Sequence, residues 1–163
     1  MKGSITTTTT FKAILVITFL FAAFLALAIT YNKAYKMKNQ TISIIEKYEG
    51  IIKYGDTLTI VNNYLRNNGY NTKGPCDIGE YGVSDLTINE YEIVTNEKDL
   101  YYYCLNDNKS ELKKVNSPVN QKIYYTVKIF FKFDLPFIGD ILTFDVMGET
   151  KGIHYYSEKQ KLQ

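Results

Sequence analysis

Three groups of residues in this chain carry side chains able to do chemistry. Cys76 and Cys104 are the only cysteines, and His154 is the only histidine. Four carboxylates, Asp134, Asp140, Asp145 and Glu149, bracket the last strongly alternating stretch. Paired carboxylates serve as general acid and base when they converge on a substrate. Here they flank a turn or alternate with apolar residues, which is the pattern of solvent-facing strand carboxylates. One histidine completes neither a multi-histidine metal site nor a Ser-His-Asp set. Beside Tyr155 and Tyr156 it reads as a strand-surface residue. The phosphate-cradling patterns G-x-x-x-x-G-K-[ST] and G-x-G-x-x-G are absent, as are H-E-x-x-H and G-x-S-x-G. The expectation is a protein that is not an enzyme, with no cofactor, no metal site and no small-molecule substrate.

The two cysteines are widely spaced and outside any C-x-x-C arrangement. In a small domain such a pair reads best as one Cys76–Cys104 disulfide, formed outside the cytoplasm; the alternative is two buried free thiols. Closing that loop would add roughly 3–4 kcal/mol on a chain-entropy account. The 15 tyrosines, with no tryptophan and a single arginine, Arg66, fit an AT-rich coding sequence. "YYYC" at 101–104 and "IYY" at 123–125 offer Tyr101, Tyr103 and Tyr124 as a partner surface, since tyrosine brings contact area at low entropic cost. They serve equally well as ordinary strand residues.

Charge narrows the partner class. No acidic residue precedes Glu46, and Lys2 and Lys12 come before the main apolar run. Setting those two lysines aside leaves 17 of the 19 basic residues against 17 acidic ones. A balanced domain lacks the basic patch from which nucleic-acid binders draw most of their affinity, so nucleic acid is not an expected partner.

The element that must position everything else is "AILVITFLFAAFLALAI", Ala13–Ile29, whose only polar residue is Thr18. With Phe11 and Tyr31 at its ends, it approaches the ~20 residues needed to cross ~30 Å of hydrocarbon. It exceeds the 7–15 residues usual for a signal-peptide core. "Ala26-Leu27-Ala28" nevertheless has the small-x-small pattern that a signal peptidase cuts after. Lysines lie on both sides of the run; counted alone they are close to balanced and slightly favour a cytoplasmic C-terminus. The cysteines place the N-terminus inside and the domain outside.

Beyond the run, Ala34, Met37, Thr41, Ile45, Tyr48 and Ile52 recur at steps of three or four, the signature of an amphipathic helix. One helix from Phe11 to Tyr54 would be ~65 Å long. Phe11, Leu15, Phe19, Phe24 and Tyr31 would face lipid or neighbouring helices, and Ile45, Tyr48 and Ile52 the domain. Asp56 is a suitable N-cap for "TLTIVNNYLRNN", and Gly69 a suitable C′ stop. "QKIYYTVKIFFKFD" alternates strictly: Ile123, Tyr125, Val127, Ile129, Phe131 and Phe133 share one face. "ILTFDVMGETKGIHYY" returns as its partner, with an irregularity expected at Gly148. "DLTINEYEIV" and "DLYYYCL" add two more strands. The expected fold class is α+β: a long N-terminal transmembrane and amphipathic helix, then a short second helix, packed on a roughly four-stranded antiparallel sheet.

The order of a basic leader, an apolar helix continuing as a stem, and a small antiparallel sheet resembles the type IV pilin layout. "ISIIEKYEGI" (42–51), "YLRNNGY" (64–70) and the hairpin "YYTVKIFFKFDLPFIGDILTFDVMGETKG" are similar to small TadE-like pseudopilins of Gram-positive bacteria. The resemblance implies a structural or accessory part of a pilus, secretion or conjugation apparatus. Its partners would be the bilayer and other pilin-like or envelope assembly proteins. A pilin leader has glycine before its cut and glutamate five residues beyond; Gly3 matches the first, and Thr8 stands at the second. The expected organisation is a cytoplasmic leader at 1–12, a transmembrane helix at 13–31, an amphipathic stem at 32–54 and an extracytoplasmic domain at 55–163. The protein would then sit in the cell membrane as a single-pass chain. The alternative is a secreted binding module cut near residue 29.

Overall fold

The computed structural model describes residues 2–50, 56–88, 90–107, 122–135 and 139–154. Ile52, Tyr54, the Leu135–Asp140 turn's central residues 136–138, and Tyr155 and Tyr156 lie outside the described residues.

Helix α1 spans Lys2–Lys47, about 69 Å at 1.5 Å per residue. It starts ahead of the expected Phe11, because no breaker separates the threonine run from the apolar one. It also ends before the expected Tyr54, and the cause is a backbone cap. The Gly50 N–H donates to the Ile45 carbonyl (2.9 Å) and the Glu49 N–H to the Glu46 carbonyl (3.2 Å). Those two bonds define a Schellman cap, with Glu49 in the left-handed region at φ 54° and Gly50 at φ 67°. Tyr48 therefore sits in the turn, exposed, rather than on the stem's buried face.

Helix α2, Asp56–Asn67, starts at the expected cap. It ends in the same motif: the Tyr70 N–H donates to the Leu65 carbonyl (3.0 Å) and the Gly69 N–H to the Arg66 carbonyl (2.9 Å). Here glycine supplies the positive φ at C′.

The strands among the remaining described residues pair antiparallel, so the fold is α+β. The strands are β1 Gly74–Pro75, β2 Tyr81–Val83, β3 Glu92–Ile93, β4 Leu100–Tyr101, β5 Tyr103–Asp107, β6 Lys122–Ile123, β7 Tyr125–Leu135, β8 Gly139–Glu149 and β9 Ile153–His154. They form a five-stranded sheet in the order β3-β2-β5-β7-β8 and two ribbons, β1-β4 and β6-β9. The expected four strands miss β2, which is three residues long and contains Gly82. Only Glu92–Ile93 of the expected "DLTINEYEIV" strand is extended into the sheet. Asp85 diverts the rest, accepting from both the N–H and the hydroxyl of Thr87 at 2.7 Å.

The long hairpin β7–β8 keeps register through Val127↔Gly148, and its irregularity falls between Phe133 and Asp134 instead of at Gly148. Gly148 has a different use. A Cβ there would come within 2.6 Å of Ile42 and 2.9 Å of Lys38, so glycine lets α1 lie close across the sheet.

The main core fills the space between helices and sheet. Ala34, Met37, Ile44 and Ile45 of α1, and Leu58, Val61 and Leu65 of α2, meet Tyr103, Leu105, Val127, Ile129 and Phe131. A second, smaller cluster occupies the opposite face: Cys76, Val94, Tyr101, Cys104 and Phe130. The sheet is thus covered on both sides at β5 and β7, which a single alternating pattern would not imply.

Candidate functional site

No buried residue occurs in α1 before Ala34 among the described residues. Phe11, Leu15, Phe19, Phe24 and Tyr31 are all exposed, Phe24 to 68%. A helix apolar on every side and uncovered by its own chain is made for a non-aqueous environment or for other helices. By length and composition α1 is able to cross a membrane, and none of its apolar window is buried by the rest of the molecule. Its polar side chains are handled accordingly. Thr18 donates to the Ile14 carbonyl (2.8 Å) and Thr30 to the Ala26 carbonyl (3.0 Å), so each hydroxyl is satisfied within the helix.

Ile45, at 1% exposure, belongs to the other half of α1 and to the core. The apolar length and the domain's covering helix are therefore one continuous element. Force or position imposed on the exposed half passes into the sheet without an intervening linker.

The tyrosine surface needs correction. Tyr103 is fully buried and Tyr101 nearly so; of the three, only Tyr124 is exposed. Tyr103 lies on β5, in the middle of a sheet with cover on both faces, and Tyr101 packs into the disulfide cluster. Gly82 makes that packing feasible: the Tyr101 ring lies against the space where a Cβ would be.

The buried tyrosines act as struts. The Tyr103 hydroxyl donates to Asn62 Oδ1 (2.8 Å), and Asn62 Nδ2 donates to the Ile88 carbonyl (3.0 Å). This chain ties β5 to α2 and to the loop after β2. The Tyr70 hydroxyl donates to the Tyr102 carbonyl (2.6 Å) and accepts from the Phe130 N–H (2.9 Å), fixing the end of α2 to the sheet. Burial pushes both hydroxyls well above the usual tyrosine range. Asn62 did not stand out in the sequence, and Tyr70 did so only as the end of "YLRNNGY". A polar residue beside Leu58, Val61 and Leu65 on one helical face was the available signal for Asn62.

Cys76 and Cys104 form a disulfide with Cα atoms 5.7 Å apart. Beside it, Lys128 Nζ lies 2.7 Å from Asp77 Oδ2 and 3.5 Å from Glu80 Oε2. Burial works against the Lys128 charge, but the hydrogen bond to Asp77 and the two carboxylate charges outweigh it and hold the ammonium above its ordinary range. Glu80 also accepts from the Asp77 N–H at 2.9 Å. The trio fastens the loop that carries Cys76 onto β7. Of the four expected carboxylates, Asp145 and Glu149 lie exposed on β8. His154 pairs through its backbone with Lys122.

Protein-family models, curated proteins and solved structures yielded no match to this chain. Its functional reading rests on its own geometry.

Proposed function

We propose that the protein is a single-pass, membrane-anchored structural component with a pilin-like domain outside the cytoplasm. The observation that carries this reading is the division of α1. Its first part is apolar all round and uncovered, and its second part forms the helical layer of the domain. Pilin-like subunits are built to this plan, with a helix that packs laterally among neighbours while its far half carries a sheet. The disulfide supports an extracytoplasmic position, since such bonds persist in oxidising compartments. The protein would serve in a pilus, secretion or conjugation apparatus, through helix packing rather than catalysis.

Protease added to intact cells tests the topology. The domain should be degraded from outside, leaving a membrane fragment that contains the apolar part of α1. A domain protected in intact cells and cut only after lysis would overturn the orientation.

A further inference from the structure

A cleft of about 510 Å³ lies between α1, the segment after α2 and the hairpin β7–β8. Its position along α1 is informative. Ile29, the last residue of the apolar run, forms part of its wall, and Lys33 follows one helical turn later. Lys73 and Lys132 line it from the domain side, as do Asn71 and Thr72. No carboxylate is among the described lining residues.

Lys73 is held in place: its Nζ donates to the Ser84 carbonyl at 2.7 Å and lies 4.5 Å from the centre of the Tyr102 ring. Three lysines thus line one space at the level where α1 leaves its apolar stretch. Such a level, in a chain anchored by α1, is that of the phospholipid headgroups. Lysine at this depth keeps its stem against apolar surface and its charge toward the phosphates.

From this placement we infer that the cleft binds the phosphodiester headgroup of an anionic phospholipid, with the acyl chains running down the apolar side of α1 past Ile29. The inference rests on the anchored reading given above. The lysines supply the countercharge, and Asn71 and Thr72 supply neutral hydrogen-bond donors for phosphate oxygens. A zwitterionic headgroup is disfavoured because it would bring its own cation against the three lysines. A free phosphate lacks the apolar part that Ile29, 69% exposed, is placed to receive. Bound lipid would seat the domain at a fixed height and rotation on the bilayer.

The test uses the full chain in vesicles of equal parts phosphatidylglycerol and phosphatidylcholine, with retained lipid counted by native mass spectrometry after mild solubilisation. Each lysine near an anionic surface is worth on the order of fivefold in affinity. K33Q/K132Q removes two exposed charges, so the phosphatidylglycerol preference should fall by about 25-fold. K122Q/K151Q removes the same charge from the far end of the stem, where the Lys151 N–H meets Glu46, and should leave the preference unchanged. Equal losses in the two variants, or no preference in the parent, would overturn the cleft proposal. So would soluble glycerol phosphate displacing the retained lipid from the cleft. Carbonate washing reads the anchor separately. A chain that washes off overturns anchor and cleft together, whereas a chain that stays but retains both lipids alike overturns the cleft alone.

Discussion

Two buried hydroxyls show opposite uses of the same group. Tyr103 donates to Asn62, whereas Thr41 Oγ1, fully buried in the stem, has no hydrogen-bond partner among the described residues. A buried polar group costs stability unless it is hydrogen-bonded. Tyr103→Phe should therefore lower domain stability by about 1–2 kcal/mol by leaving Asn62 Oδ1 unsatisfied, and Thr41→Val should raise it by about 1 kcal/mol. Denaturant unfolding of the detergent-solubilised chain measures both; equal shifts in one direction would refute the assignment. The tyrosines also set an alkaline limit. Tyr70 and Tyr103 hold their protons more tightly in the folded state than in the unfolded chain, and Lys128 does the same. Stability from these groups is complete below the unfolded tyrosine value of about 10 and declines as pH rises beyond it. Absorbance at 295 nm should show most tyrosines ionising first and a late group appearing only with unfolding. Ionisation of all tyrosines in one phase, with the fold intact, would contradict the buried placement.

At the scale of elements, the helix ends explain most of what was and was not legible. Gly69 announced the end of α2 because glycine is the residue that occupies C′ without strain. The end of α1 was hidden, because its C′ residue is Glu49 and its periodic apolar pattern continues past the cap through Ile51 and Ile52. Glu49→Gly should relieve the left-handed strain and raise stability by about 0.5–1 kcal/mol, read as a shift in the denaturant midpoint. A loss of stability would show that the Glu49 side chain is needed there. Strict alternation made the inward face of β7 readable residue by residue. The short strands were not readable, since β2 and β3 hold only three and two residues and owe their conformation to neighbours. Alternation did not show that the other side of β7 is also covered, where Phe130 and Lys128 are buried. What covers them is the Cys76 loop, whose position depends on a disulfide and an ion-paired lysine far apart in sequence. The cleft was illegible for the same reason: Lys33, Lys73 and Lys132 are separate in the chain and meet only through the fold.

For the whole molecule, the central feature is a single helix with two environments. The domain's core begins at Ala34, so removal of everything before Ile29 would leave the described core residues in place while taking away the apolar part of α1. Fold stability is consequently no guide to whether the anchor is retained. On the anchored reading proposed above, continuity is what matters: an uncleaved α1 would fix the sheet to the bilayer with no flexible joint between them. Mass spectrometry of the mature N-terminus in the membrane fraction tests this most directly. A chain starting at Met1 or Ser4 is the expected result, and a chain starting at Ile29 would contradict it.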